Sequence, residues 1–318
     1  MKKFKNLLVL ILVLILLLST AACTKNSVSE TVDETEDSEE IKQETVEEKF
    51  PLTITDFLGR EVTIEKEAER IISLAPSVTE LLYALGVGDR LVGVTEYDDY
   101  PAEVVELPKV GGYEGANVEA IISQEPDLVL ASNYSGREEM EAIESMGIPV
   151  IVLDAVNMNQ TFESVRLLAQ ITGTEDQGKE IINEMQAQIN EVKEKVEGLP
   201  RVDVYYLLML DGNYTAGKGT FIDELISIAG GNNIVEEEGW PQYSVEELVK
   251  KNPDVIITSP NAANIEDIKN AEGFKETDAI KNGNIFVVSD ENILVRASNR
   301  IVLGLKEVAK YLHPEVFE

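Results

Sequence analysis

Few side chains in this sequence could carry covalent or metal chemistry. The 318 residues include one cysteine, Cys23, and one histidine, His313, which stand near opposite ends of the chain. Zinc sites and activated nucleophiles need several such side chains close together. The composition therefore predicts no resident metal and no catalytic residue, and we expect a protein that is not an enzyme.

One segment has the outline of a phosphate-binding loop. Residues 212 to 220 read GNYTAGKGT, follow a predicted strand and precede a predicted helix, which is the setting of a P-loop. Gly219 follows Lys218 at the place where that motif needs a serine or threonine hydroxyl for Mg²⁺. A nucleotide-binding enzyme is therefore kept only as an alternative function.

The chain contains one segment twice. Residues 117 to 132 read NVEAIISQEPDLVLAS, and residues 244 to 259 read SVEELVKKNPDVIITS. Identical residues match at five places: Val118 and Val245, Glu119 and Glu246, Pro126 and Pro253, Asp127 and Asp254, and Ser132 and Ser259. Each copy starts as an amphipathic helix, turns at Pro-Asp and ends in an apolar run typical of a buried parallel strand. The duplication predicts two similar α/β lobes, and clefts between lobes commonly bind ligands.

Strands and helices alternate around both copies. In the first lobe, placed at residues 51 to 158, an apolar strand leads into Ser77-Val-Thr-Glu80, which predicts a capping box for a helix that ends at Gly86. Residues 159 to 199 are strongly helical, with apolar side chains at three- and four-residue steps. Residues 200 to 318 repeat the alternation as a second lobe. The sequence predicts doubly wound lobes joined by a long helix, with small movements between them.

The amino-terminal residues differ from the rest of the chain. Residues 1 to 22 combine a basic start, an apolar core and small residues before Cys23, as in an export signal, although the apolar stretch approaches the length of a membrane-spanning helix. LSTAAC resembles the lipobox of bacterial lipoproteins, which implies cleavage and lipidation at Cys23. Residues 23 to 50 are rich in acidic and hydroxylated side chains and predict a disordered tether.

The charge of the chain excludes one class of partner. The sequence has 27 basic and 59 acidic side chains, for a net charge of −32. Binding to nucleic acid needs a basic face, so nucleic acid is not expected as a partner.

Five runs of the chain closely resemble the substrate-binding proteins of bacterial ABC importers for iron siderophores and vitamin B12: RIISLAPSVTELLYALGVGDRLVGVTEYDDYP, KVGGYEGANVEAIISQEPDLVLAS, FIDELISIAGGNNIV, GWPQYSVEELVKKNPDVIITS and RASNRIV. The resemblance covers nearly all of residues 52 to 318. It implies the class III periplasmic binding protein fold, an α/β fold in which a long rigid helix joins two doubly wound lobes. The implied ligand is a metal chelate, either cobalamin or another corrinoid or a ferric siderophore, with haem as the alternative.

The same resemblance implies partners and a location. The chelate is delivered to a dimeric permease whose ATPase subunits are separate proteins. The binding protein is a monomer, is anchored by lipid at Cys23 on the outer face of the cytoplasmic membrane, and needs no cofactor besides the transported chelate. Glu119 and Glu246 resemble the acidic residue that each lobe of this family docks onto basic permease residues. The residues alone also allow a simpler role, in which both glutamates stabilise a helix dipole.

The predicted ligand-binding residues are Ser77, Tyr97, Tyr113, Asn133, Tyr134, Trp240 and Arg296. Tyr97, Tyr113, Trp240 and Arg296 match positions that line the cleft in the vitamin B12 binders that the chain resembles. Aromatic rings offer flat contact to a macrocycle, and arginine can bind amides or carboxylates. The residues after the first duplicated strand fit the rule that ligands lie at the carboxyl ends of parallel strands. Vitamin B12 binders tend to have a tryptophan there, which this chain lacks, so the ligand's identity stays open.

Overall fold

The structure, a computed structural model, describes residues 49 to 112 and 115 to 317. The predicted export signal, nearly all of the predicted tether, the lipidation site Cys23 and the predicted cleft residue Tyr113 lie outside these residues. No helix within the described ranges is long and apolar enough to cross a membrane.

An antiparallel hairpin opens the described chain. Its strands are β1 (Leu52–Thr55) and β2 (Glu61–Ile64). In the turn, the buried Asp56 carboxylate accepts hydrogen bonds from the Arg60 guanidinium and from the backbone amide of Val152. Because Val152 belongs to the first lobe, this carboxylate ties the hairpin to that lobe.

The first lobe is built on a six-stranded sheet. Its strands are β3 (Ile71–Ser73), β4 (Leu91–Thr95), β5 (Lys109–Gly112), β6 (Gly115–Ala116), β7 (Leu128–Ala131) and β8 (Val150–Val152). Its helices are α1 (Pro76–Ala84), α2 (Val118–Ser123) and α3 (Arg137–Ser145), with short 3₁₀ turns at Gly88–Arg90 and Ala102–Glu106. The strand order is β6-β5-β4-β3-β7-β8, and the pairs from β5 to β8 are parallel.

Strand β7, inside this sheet, is apolar throughout because both of its faces are covered. In β7, Leu128 and Leu130 belong to one core cluster, whereas Val129 and Ala131 belong to another on the opposite face. All four side chains are fully buried. A parallel strand covered by helices on both faces needs such a continuous apolar run.

The strand order reverses between β3 and β7. From β3 the chain moves to β4 and β5 on one side, and later to β7 and β8 on the other side. The connections that leave the carboxyl ends of β3 and β7 therefore diverge and leave a crevice. This is the place where doubly wound sheets bind their ligands.

Two helices connect the lobes. They are α4 (Met158–Thr172) and α5 (Glu175–Val196). The strongly helical region is therefore divided, because Gly173 ends α4 in the left-handed conformation, with φ 70°, which favours glycine. The two helices pack against each other, and the longer one, α5, leads into the second lobe.

The second lobe has a five-stranded sheet. Its strands are β9 (Val202–Met209), β10 (Tyr214–Thr215), β11 (Gly231–Asn233), β12 (Val255–Thr258) and β13 (Ile285–Val287). Its helices are α6 (Phe221–Ile228), α7 (Val245–Lys251), α8 (Ile265–Asn270), α9 (Asp278–Asn282), α10 (Asn292–Val295) and α11 (Ile301–Leu312), with a 3₁₀ turn at Phe274–Glu276. The order is β10-β9-β12-β13. Strand β11 also pairs with β9, and only β10 is antiparallel.

One hydrophobic core runs through both lobes. The same cluster contains Leu130 of β7, Val165 of α4, Val192 of α5 and Tyr206 of β9. The predicted architecture, two α/β lobes joined by a long helix, is therefore confirmed. Large rotations would disrupt this continuous packing, which favours the predicted small lobe movement.

The two copies of the duplicated segment fold in the same way. One forms α2 and β7, and the other forms α7 and β12. Before the shared proline, Glu125 has φ 48° and Asn252 has φ 47°, both in the left-handed region. The Asp127 carboxylate accepts a 2.9 Å hydrogen bond from the backbone amide of Arg70. In the second copy, the Asp254 carboxylate accepts a 3.0 Å hydrogen bond from the backbone amide of Asp203. The duplicated aspartate therefore holds the neighbouring parallel strand, β3 or β9, in register.

The predicted capping box at the start of α1 is wrong. Helix α1 begins at Pro76 after Ala75, and no side chain caps it. Proline suits this first position because its missing N–H has no helical partner there. Glu80 is therefore not used as a cap, and its carboxylate takes part in a contact between the lobes.

Candidate ligand cleft

A cavity of about 290 Å³ lies where the carboxyl ends of the first sheet meet the second lobe. We call it the interlobe cavity. Its wall includes residues at the carboxyl ends of four parallel strands of the first lobe. These are residues 74 to 77 after β3, residues 95 and 97 at the end of β4, residues 132, 134 and 135 after β7, and residues 153 to 155 after β8. Residues 295 to 297 close it from the second lobe. The cavity thus occupies the crevice at which the strand order reverses.

Four of the predicted ligand-binding residues line this cavity together: Ser77, Tyr97, Tyr134 and Arg296. Tyr134 is 89% exposed and Tyr97 is 51% exposed, so both rings have large free surfaces. Aromatic rings held at a cavity with free faces can stack on a flat ligand at low entropy cost.

Asn133 does not line the cavity itself, but its side chain contacts a residue that does. Its Nδ2 donates a hydrogen bond to Oδ2 of Asp154, which lines the cavity after β8. Burial raises the pKa of Asp154, and this effect outweighs the lowering by the Asn133 hydrogen bond. The sequence interpretation missed Asp154, although it is the last residue of GIPVIVLD (147 to 154), a run predicted to end in a strand.

Trp240 does not belong to the wall of the interlobe cavity. It is 46% exposed and lies in a loop whose backbone pairs with the segment around β10. Gly217 donates to the Gly239 carbonyl at 2.8 Å, and Thr215 donates to the Pro241 carbonyl at 3.1 Å. Because β10 pairs with the last residues of β9, this loop lies at the carboxyl end of the second sheet.

The same backbone pairing bears on the P-loop alternative. The amides of Gly217 and Lys218 donate to carbonyl groups of the 237 to 239 segment, and the Gly219 amide faces the Asp223 carboxylate at 3.4 Å. A P-loop needs these amides free to surround a phosphate. In this chain the amides of Gly217 and Lys218 already donate to backbone carbonyl groups. The negatively charged Asp223 carboxylate lies beside the Gly219 amide, where a bound phosphate would need positive charge.

A buried carboxylate joins the two lobes beside the cavity. Glu80 on α1 is 2% exposed, and its Oε1 accepts hydrogen bonds from Arg296 at 2.9 Å and from Arg300 at 3.0 Å. Ser298 donates to its Oε2 at 2.5 Å. We call Glu80, Arg296, Ser298 and Arg300 the Glu80 cluster.

Arg296 has further acceptors. Its Nη1 donates to the Asp99 carboxylate at 2.6 Å, and its Nη2 donates to the Tyr97 carbonyl at 3.1 Å. Burial lowers the pKa of Arg296, but the hydrogen bonds and charges of Asp99 and Glu80 outweigh burial and raise it. The guanidinium is therefore held in place by the first lobe.

Arg300, which shares the Oε1 atom of Glu80 with Arg296, also has further partners. It donates to Asp290 at 2.7 Å and stacks over the Tyr100 ring at 3.9 Å. The sequence offered one signal for the Glu80 cluster, an acidic residue within the apolar run SVTELLYAL. Its partners could not be predicted because they lie more than 200 positions further along the chain.

The two duplicated glutamates are exposed on equivalent helix turns. Glu119 lies in the first turn of α2, and Glu246 lies in the first turn of α7. The hydrogen bond from the Ser244 hydroxyl, 2.8 Å long, lowers the pKa of Glu246. The duplicated aspartates, Asp127 and Asp254, accept hydrogen bonds from a neighbouring strand, whereas Glu119 and Glu246 are exposed on their helices.

The described residues contain no group of three or more histidine, cysteine, aspartate or glutamate side chains able to hold a metal ion. His313 is buried at the end of α11, and its Nε2 has no hydrogen-bond partner among the described residues.

Comparison with known proteins agrees with this geometry. Residues 71 to 291 match the model of the periplasmic binding protein family, and the chain belongs to that family. It is 34% identical over 280 residues to the uncharacterized ABC transporter substrate-binding lipoprotein YvrC of Bacillus subtilis (strain 168), covering 85% of this chain and 88% of YvrC.

Two solved structures are also similar. One is a possible iron-binding (periplasmic solute-binding) protein from Staphylococcus epidermidis, with 32% identity and a TM-score of 0.70, covering 77% of this chain and 99% of that one. The other is the periplasmic vitamin B12 binding protein BtuF of Vibrio cholerae, with 27% identity and a TM-score of 0.67, covering 78% of this chain and 97% of BtuF.

Proposed function

We propose that this protein is the substrate-binding component of an ABC importer and captures a metal chelate, either a corrinoid or a ferric siderophore, in the interlobe cavity. The observation that carries this proposal is the meeting of Tyr97 and Tyr134 of the first lobe with Arg296 of the second around one cavity. Free aromatic faces and a fixed guanidinium suit a broad ligand with polar groups at its edge. The vitamin B12-binding and iron-binding relatives support the same ligand class.

In this role the protein binds its ligand and catalyses no reaction. The residues that line the cavity include no histidine or cysteine, and the described chain has no cluster for a catalytic metal. The chelate's own metal is cargo. Capture and release of an unchanged ligand need only a cavity and a way to deliver it.

Trp240 is proposed as a ligand contact from the second lobe. Its half-exposed ring lies at the carboxyl end of the second sheet, as Tyr97 and Tyr134 lie at the carboxyl end of the first. A ligand broader than the 290 Å³ cavity would extend across the second lobe toward such a ring. Tyr113, between the cavity-lining Gly112 and Gly115, is proposed as a further contact from its place in the chain.

Delivery is proposed to use the duplicated glutamates. Glu119 and Glu246 present one exposed carboxylate on each lobe at equivalent helix turns. A transporter with two permease subunits can receive two such sites at once. The chain is further proposed to be a monomer held by lipid at Cys23 on the outer face of the cytoplasmic membrane, which agrees with its similarity to a substrate-binding lipoprotein.

A fluorescence titration tests the ligand assignment. Trp240 is the only tryptophan in the chain, so its emission reports on one place. Cyanocobalamin, cobinamide, a panel of ferric siderophores and haem are titrated into the purified protein, and calorimetry confirms each fluorescence change. Saturable binding of a corrinoid or a ferric siderophore supports the proposal. Binding of haem alone, or of none of these ligands, contradicts it.

A further inference from the structure

The charge of the interlobe cavity restricts the charge of its ligand. We infer that the cavity selects metal chelates without net negative charge and binds them through neutral oxygen acceptors, such as peripheral amide or hydroxamate groups. This inference rests on the proposed function, because it specifies which chelates the same cavity takes.

Arg296 is the only basic residue among the described residues that line the cavity. Its side chain is 12% exposed and lies between two carboxylates, with Glu80 at 2.9 Å and Asp99 at 2.6 Å. Asp99 and the Glu80 carboxylate, which is shared with Arg300, therefore fully match the positive charge of Arg296 at the cavity wall. A guanidinium paired in this way offers little net attraction to an anionic ligand.

The other charged groups near Arg296 do not reverse this balance. Asp154, the second charged residue of the wall, is acidic. Arg300 shares Glu80 with Arg296 and is also paired with Asp290 at 2.7 Å. The amino end of α1 lines the cavity at residues 75 to 77 and contributes a partial positive charge of about half a unit. Glu80 lies on that helix one turn further along and opposes this partial charge.

Arg296 nevertheless keeps hydrogen-bonding capacity. A guanidinium has five N–H groups. In Arg296, the Nη1 group donates hydrogen bonds to Glu80 and Asp99, and the Nη2 group donates one to the Tyr97 carbonyl. Nε–H and the second Nη2–H have no partner among the described residues. Arg296 can therefore donate to a neutral oxygen of the ligand while the carboxylates cancel its charge.

Anionic chelates place different demands on a cavity. A ferric tris-catecholate carries three negative charges, and haem carries two carboxylates. Burying such groups is costly unless each finds a cation or several strong donors. The described wall supplies one arginine whose charge is already matched. Chelates with amide or hydroxamate acceptors avoid this cost.

The test compares ligands that differ in charge within one scaffold. Ferrioxamine B carries one positive charge at its terminal amine, N-acetylation removes that charge, and N-succinylation replaces it with one negative charge. Cyanocobalamin and the monocarboxylic acid made by hydrolysing one of its peripheral amides form a second matched pair. All are titrated into the full-length mature protein at physiological salt. On the scaffold that binds, we expect the anionic form to bind about tenfold more weakly than the neutral form, or weaker still.

Two variants then locate the source of this preference. Asp99→Asn removes a half-exposed carboxylate from Arg296, and should narrow the preference for the neutral ligand severalfold by improving binding of the anionic form. The matched control Asp176→Asn removes the same charge from the exposed surface of α5 and should leave the preference unchanged. Melting temperatures of both variants verify that each is folded.

The outcomes separate this inference from the proposed function. Equal or tighter binding of the anionic form by the unmodified protein would overturn the inference, while the capture of a chelate would stand. A preference that Asp99→Asn leaves unchanged would overturn the role assigned to the pairing of Asp99 with Arg296. If no ligand of either scaffold binds, and the broader panel gives no binding either, the proposed function fails and the inference fails with it.

Discussion

Arg296 in the second lobe donates a 2.9 Å hydrogen bond to Glu80, which is buried on α1 of the first lobe. Arg300 donates to the same carboxylate oxygen, and Ser298 donates to the other one. A single carboxylate therefore receives three donors from the opposite lobe. The contact both ties the lobes together and places Arg296 at the wall of the interlobe cavity.

Glu80→Gln should destabilise the protein strongly. The substitution keeps the shape of the side chain but leaves Arg296 and Arg300 partly buried without their shared anion. Removing one partner of a buried ion pair typically costs about 3 kcal/mol. Urea unfolding measures the loss, and Glu184→Gln on the exposed face of α5 serves as the control, with little change expected. A Glu80→Gln protein as stable as the control would show that Glu80 is not a tie between the lobes.

Asp154→Asn should stabilise the protein, and the gain should grow as the pH rises. Burial raises the folded-state pKa of Asp154, so the folded protein binds this proton more readily than the unfolded chain. The ionised form therefore costs stability above the folded pKa, and the cost disappears below the unfolded value of about 3.9. The carbonyl oxygen of an introduced asparagine can still accept from Asn133.

Melting temperatures between about pH 4 and about pH 7 test this prediction. The difference between Asp154→Asn and the unmodified protein should increase across that range. Asp267→Asn, at an exposed position on α8, provides the matched control and should give a nearly constant difference. A gain that shrinks with rising pH would contradict the assigned direction of the shift.

Trp240→Ala should weaken ligand binding without unfolding the protein. If the ring stacks on the chelate, its removal should cost about 2 kcal/mol of binding free energy, which is typical of a buried aromatic hot spot. Calorimetry measures the affinity, since the variant lacks the fluorophore. Leu303→Ala, at a similarly exposed apolar residue on α11, should bind normally. A lower melting temperature with unchanged affinity would instead assign Trp240 a structural role.

Glu119→Lys and Glu246→Lys should impair transport and leave ligand affinity unchanged. Each substitution replaces attraction to a permease cation with repulsion, which can cost several kcal/mol in a partly desolvated contact. Uptake by the reconstituted transporter should fall for each single variant and nearly vanish for the double variant. The control Glu138→Lys changes another exposed first-turn glutamate, on α3. Should the double variant transport normally with only a lower melting temperature, the two glutamates act on their helices alone.

A chain that begins at Lys49 should fold and bind the chelate with normal affinity. The cavity-lining residues all lie beyond Lys49, and the acidic segment before it has a composition that does not favour a packed core. In cells, Cys23→Ala should abolish lipid labelling and release the protein or leave its signal uncleaved. Weaker ligand binding by the shortened chain would assign the amino-terminal segment a part in the site.

Much of the fold was predictable because its determinants are local and periodic. The duplicated segment indicated two α/β lobes, and the apolar runs marked strands such as β4 and β7. The rule that ligands lie at the carboxyl ends of parallel strands indicated the region of Tyr134, which the structure places beside the cavity. The boundary between α4 and α5 was missed because the apolar periods before and after it were read as one helical region, although Gly173 lies in the polar stretch 172 to 180 that separates them.

The sequence by itself determined the two-lobed α/β architecture, since apolar period and turn residues act over short stretches of chain. Only the tertiary structure decided what Glu80 does. Its local pattern, Ser-x-x-Glu, is that of a capping box, but burial of the carboxylate makes pairing with distant guanidinium groups far more important than a helix cap. The charge of the interlobe cavity was likewise not readable from the chain, because it depends on which carboxylates fold against Arg296.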